Sequence, residues 1–211
     1  MTPRARLWAV ELSLALVLVV ASHAVPTWIA DAVWLALPRA RSLEYGNLHD
    51  LVSLAFGALL AVPTARQSGL TLGRRPTLAV VAVALAPVLA TALVYPNLPT
   101  RPFAGQRIGM WLVSPFAQDL LFVGYLYGRF ARLAPPTDAR RPQAALLATC
   151  GLFALWHVPN FFTMPAGYVV FQLGYTFAGL CLTGLSRQWT RSALYAMATH
   201  VLVNFIAWMT P

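Results

Sequence analysis

The chain has 211 residues, 59% of them apolar and 10% charged, where soluble domains carry about 25% charged residues. Its net charge of +9 would suit nucleic acid, but the arginines are scattered between apolar runs instead of forming one basic face, so no nucleic-acid partner is expected. Composition therefore points to an integral membrane protein, a single all-α bundle over 1–211 whose solvent is the lipid bilayer, placed in the cell membrane. All fifteen basic residues are arginine, as in a GC-rich, bacterial genome. Cys150 and Cys181 each lie inside an apolar run and read as packed thiols rather than a disulfide.

The first apolar run, 7–25, follows Arg4 and Arg6 as a signal peptide would, but it lacks a small-x-small cleavage site and more spans follow it. It is read as a retained first helix. The stretch 27–37 follows Pro26, contains Asp31 and is too short to cross. It is expected as an interfacial helix or a kinked extension of the first span, with an eighth crossing as the alternative. Further spans are expected at 48–65, 77–96, 107–133, 142–160, 165–186 and 191–210, making about seven. Proline marks several boundaries: Pro76, Pro96, Pro142, Pro159 and Pro165. With the N-terminus in the cytoplasm, eleven arginines fall in inner segments and four in outer ones, the bias that sets orientation. The last four spans are joined by short loops, so sequence neighbours should lie antiparallel.

Three of these last spans carry polar groups that lipid does not tolerate. One holds Gln118 and Asp119 side by side, the next ends in FALWHVPN with Phe153 and His157, and the last contains ATHVLVNF with His200 and Asn204. A charge at the bilayer centre costs ~2.5–3.5 kcal/mol on insertion scales, so such groups face the bundle interior and pair. His200 and Asn204 are four apart and share a helix face. Counted from the inner arginines at ~1.5 Å per residue, the polar groups lie about 14–24 Å deep, close enough for one shared site. Two imidazoles with an amide or carboxylate oxygen suit zinc, with His157, His200 and Asn204 as candidate ligands. Such a metal would acidify a bound water and polarise a carbonyl. Alternatively, a carboxylate base and the histidines activate water without metal, with His and Asn stabilising the oxyanion. Ser114 has no strand–turn–helix context that would make it a nucleophile.

At these positions the sequence resembles the CPBP family, the CAAX-protease and bacteriocin-processing (Abi) intramembrane proteases. Its pattern is EExxxR, then FxxxH, then HxxxN or HxxxD, and here Gln118 to Val123, Phe153 to His157 and His200 to Asn204 follow it in order. The resemblance covers about 107–210 and implies a peptide or membrane-protein substrate. It also implies that the first glutamate is the water-activating base, with the histidines and asparagine completing the site. This chain has Gln118 and Asp119 for the two glutamates and Val123 for the arginine. An amide takes no proton from water. Asp119 could, although it is turned about 100° from position 118 and is one methylene shorter than Glu. Three functions stay open: an intramembrane endopeptidase with Asp119 as base, a pseudoprotease that binds without cutting, and a small transporter subunit. The transporter reading needs a polar stripe along the bundle, and the inner ends of the last three spans hold few polar residues.

Overall fold

The computed structural model describes residues 2–36, 45–98, 109–133 and 141–210. Among them the secondary structure is helical throughout, with no strand. Helix α1 (Pro3–Ala36) is followed by α2 (Tyr45–Ala61), a short α3 (Ala65–Ser68) and α4 (Leu78–Val94). A composite helix α5 covers 109–130. It is followed by α6 (Arg141–Trp156), α7 (Ala166–Thr190) and α8 (Ala193–Met209). Four helical stretches are long and apolar enough to cross a bilayer: Pro3–Ala36, Leu78–Asn97, Pro142–Phe162 and Ala166–Thr190. Shorter apolar helices, α2 and α8 among them, stand beside these spans. Large apolar side chains such as Leu78, Leu89, Leu93 and Val170 are exposed on the outside, where lipid would solvate them.

Local chemistry explains the boundaries. Helix α1 runs through Pro26 without ending, so the stretch after Pro26 is an extension of the first helix as far as Ala36. Its 34 residues would span about 51 Å at 1.5 Å each, well beyond a ~30 Å hydrocarbon core. Thr77 caps α4 by accepting from the Val80 N–H, and Ser192 caps α8 by accepting from the Leu194 N–H. Between α7 and α8 the chain turns at Arg191, whose left-handed backbone (φ 61°) sends its N–H to the Arg187 carbonyl.

The core centres on α5. Phe122, Val123, Leu126 and Phe130 are buried against α6, α7 and α8, with Ala15 and Val19 of α1 closing the cluster. Ion pairs and hydrogen bonds fasten the outer helices to it. Arg129 grips Glu11 of α1 through Nε (2.9 Å) and Nη2 (2.7 Å), so Glu11 is paired as the sequence allowed. Asp31 is also paired, accepting from the Tyr45 hydroxyl at 2.7 Å. The loop after α2 is tied to the α7–α8 turn. Arg187 Nη2 donates to the Gln67 carbonyl (2.8 Å), Ala193 N–H to Gly69 O (2.8 Å) and Arg74 N–H to Thr190 O (2.6 Å). Gly69 (φ 69°) is required there, because a Cβ would lie 2.3 Å from the Arg187 guanidinium carbon.

Helix α2 approaches α5 at backbone distance. A Cβ on Gly57 would sit 2.8 Å from the Ala117 carbonyl oxygen and 3.2 Å from Leu120 Cβ. Overpacking of this kind costs about 1–3 kcal/mol. Gly57→Ala should therefore lower the thermal unfolding midpoint in detergent, read by intrinsic fluorescence. Gly151→Ala, whose Cβ meets nothing within 4 Å, should leave the midpoint unchanged or raise it.

Candidate active site

The helix carrying Gln118 and Asp119 changes its winding on both sides of them. Gly109–Val113 and Leu120–Leu126 are π-helical, and Ser114–Asp119 between them is α-helical. Pro115 lacks an N–H, so the carbonyl four residues earlier has no α-type donor where the first wide turn ends. In the second wide turn the Tyr127 N–H reaches the Phe122 carbonyl, five residues back. Such turns re-aim side chains and recur at functional sites.

The two adjacent polar residues, turned about 100° apart on the α-helical stretch between these turns, take different jobs. Gln118 lines the main cavity, which measures about 300 Å³, together with His157, His200 and Asn204. Its Nε2 donates to Ser114 Oγ at 3.0 Å, and the amide keeps a second N–H. Asp119 is fully buried and does not line that cavity. Its Oδ1 lies 3.2 Å from His200 Nδ1. Asp119 therefore meets the cavity through His200. Its Oδ2 has no hydrogen-bond partner among the described residues. The position four residues on, where the motif has arginine, is the buried Val123.

Helix α6 ends where His157 is needed. The 3-10 turn Val158–Phe162 follows, with Pro159 near its start, and His157 sits between the two helices. His157 Nδ1 meets the Phe153 carbonyl at 2.9 Å. A carbonyl only accepts, so Nδ1 carries the proton and Nε2 keeps its lone pair. The same logic applies to His200, whose Nδ1 faces a carboxylate oxygen. Phe153 touches both imidazoles edge-on, with ring centroids 4.9 Å from His157 and 5.8 Å from His200. Its own ring is held by Phe122 at 5.1 Å. So the phenylalanine of FxxxH is core packing, as its type predicts, and it also sets the orientation of both histidines.

The five residues nominated from sequence thus meet around one space: four on its wall and Asp119 behind His200. Asn160 and Gln172 also line it and bond each other at 2.8 Å. The sequence reading missed contributions from α1 and α2. His23 stacks on Trp156 at 4.3 Å and bonds its carbonyl through Nε2 at 2.8 Å. Trp156 Nε1 donates to Ser22 Oγ at 3.0 Å. Trp156 itself lines the cavity. His49 and Asp50 of α2 line it as well. The signal that exposes Gln118 and Asp119, adjacent polar residues in an apolar run, is also present in NLHDLVS.

Both imidazoles have a ring nitrogen engaged by a carbonyl or a carboxylate, the support a metal-bound histidine receives. Among the described residues, however, no three His, Cys, Asp or Glu side chains are grouped to hold a metal ion. A third protein ligand would come from an amide oxygen on the wall, where Asn204 is the one expected from the sequence.

A helical membrane bundle that draws two histidines and an asparagine onto one cavity, with an acid paired behind one of the histidines, has the framework of an intramembrane hydrolase. The model of the family described as type II CAAX prenyl endopeptidase Rce1-like matches residues 99–206, just over half of the chain. The chain belongs to this family of intramembrane proteases, within the CPBP group. The match contains α5 to α7, most of α8 and all three motifs. No curated protein and no solved structure matches the chain.

The brace on Trp156 is testable separately from activity. Trp156→Phe keeps the ring stacking on His23 and removes the bond to Ser22. It should cost about 1 kcal/mol, seen as a lower thermal midpoint, with little further loss when Ser22→Ala is added.

Proposed function

We propose that this protein is an intramembrane endopeptidase that hydrolyses peptide bonds of a membrane-associated substrate, crossing the cell membrane about seven times with its N-terminus in the cytoplasm. The observation that carries the reading is the shared cavity of Gln118, His157, His200 and Asn204, with Asp119 bonded to His200. The family's printed description concerns a prenyl endopeptidase acting on CAAX proteins. The residues lining this cavity ask for an apolar peptide and do not single out a prenylated one.

Each side chain then has a task that follows from its donor and acceptor inventory. The Nε2 lone pair of one of the two imidazoles, His157 or His200, accepts one hydrogen of the attacking water and aligns it, and the other hydrogen is the one the water gives up. Asp119 is a positioning residue: it fixes the tautomer and orientation of the His200 ring. The amide groups of Gln118 and Asn204 donate to the scissile carbonyl oxygen and hold it as negative charge develops. The apolar wall, which includes Phe153, Trp156, Phe171 and Val203, keeps bulk water away from these bonds.

Two other readings each have an observation in their favour. A zinc ion on His157, His200 and Asn204 would lower the pKa of a bound water, and the engaged Nδ1 atoms of both rings favour it. A pseudoprotease would keep the pocket and bind without cutting, and the amide at Gln118 favours that.

Turnover of internally quenched peptides in detergent micelles tests the proposal. His157→Ala and His200→Ala should each lower kcat about 10²–10⁴-fold, the usual range for losing a group that handles protons. Asp119→Asn should lower kcat with KM nearly unchanged, because it acts through His200. Zinc measured on the purified protein separates the metal reading: stoichiometric metal lost in both alanine variants supports it, and active protein without metal removes it. An inactive wild type made active by Gln118→Glu would establish the pseudoprotease.

A further inference from the structure

The cavity wall carries an acid that the three motifs do not account for. Among the described residues lining the main cavity, Asp50 is the single carboxylate. It comes from α2, outside the segment that matches the family. Only 4% of its surface is exposed. It also lines a smaller adjoining cavity of about 40 Å³, as does Gln118. Asp50 and Gln118 therefore face the same two spaces from neighbouring helices.

Backbone packing puts the acid there. Asp50, Gly57 and Ala61 are buried positions of α2, spaced by seven and four residues along one face. Gly57 lets this face approach the Ala117 carbonyl, one residue before Gln118. A carboxylate at position 50 is thereby directed toward the helix that carries Gln118. His49 stands beside it, with Nδ1 3.8 Å from Asp50 Oδ1 and Nε2 3.5 Å from Thr27 Oγ1 on α1.

We propose that Asp50 is the catalytic carboxylate of this cavity, performing from α2 the proton transfer that the amide of Gln118 cannot. The inference rests on the peptidase reading. In the first step the water oxygen bonds to the scissile carbonyl carbon and one water O–H bond breaks. The proton passes to the Asp50 carboxylate, and the carbonyl electron pair moves onto the oxygen held by the amides. In the second step that pair returns, the C–N bond breaks, and protonated Asp50 gives its proton to the leaving nitrogen. Water and peptide are the only reactants. The hydrogen that stays on the oxygen remains bonded to a histidine Nε2, and Asp119 keeps its place behind His200.

The test uses the purified full chain in dodecylmaltoside with an internally quenched library of apolar peptides. Asp50→Asn should lower kcat about a hundredfold or more, with KM and melting temperature unchanged. Adding Gln118→Glu to Asp50→Asn should recover about tenfold or more of the loss, because the carboxylate is restored to the same cavity from α5. Asp50→Ser replaces the asparagine variant if the latter does not fold. Turnover of Asp50→Asn within threefold of wild type overturns the inference and leaves the peptidase reading standing. A loss that Gln118→Glu does not restore also overturns it, since that marks a purely structural aspartate. An inactive wild type with an active Gln118→Glu variant overturns it too. Inactivity of both wild type and Gln118→Glu removes the peptidase reading itself.

Discussion

Hydrocarbon offers neither donors nor acceptors, so a polar side chain on a membrane helix must find its partner inside the protein. Much of this structure answers that demand. Glu11 takes Arg129, Trp156 takes Ser22, Asn160 takes Gln172, and Thr91 meets the Tyr175 hydroxyl across α4 and α7. Asp119 and His200 obey the same rule at the centre. Their bond satisfies one carboxylate oxygen and, by holding the Nδ1 proton, leaves the imidazole with a lone pair on its other nitrogen. A requirement for stability and a requirement for chemistry are met by one contact.

Gln118 and Asp119 show how finely helix winding divides labour. They are consecutive, yet one borders the cavity and the other lies behind a histidine. The α-helical stretch that carries them sits between two π-helical turns, and each wide turn shifts the phase of the side chains beyond it. The departure from the family pattern at Val123 fits this arrangement. With a buried valine there, no arginine competes with His200 for the carboxylate, and Oδ2 stays without a partner among the described residues.

Much of this was legible before any coordinates. Apolar run lengths marked the helices, because a bilayer dictates how many residues must be dry. The spacings in FxxxH and HxxxN placed their members on common faces, and buried polar residues had to converge. Other features were hidden for physical reasons. The flanking π-helical turns, Gly109–Val113 and Leu120–Leu126, have no simple hydrophobic period to betray them. The pull of Trp156 into the bundle depends on Ser22 and His23, more than 130 residues away, at contacts no local pattern encodes. Asp50 carried the right signal, a polar residue in an apolar run, but only the fit of Gly57 against the Ala117 carbonyl ties α2 to the site.

The knot between the loop after α2 and the α7–α8 turn has a consequence for how the fold can be reused. Gln67, Gly69 and Arg74 lie before the family-matched segment, while Arg187, Thr190 and Ala193 lie within it. A chain starting at 99 would lose the partners of the Arg187 guanidinium, the Thr190 carbonyl and the Ala193 N–H, and would uncover the turn that the loop packs against. The motif-bearing half is therefore no portable cassette. Grafting its chemistry onto another bundle means transplanting the loop around Gly69 that is hydrogen-bonded to the α7–α8 turn.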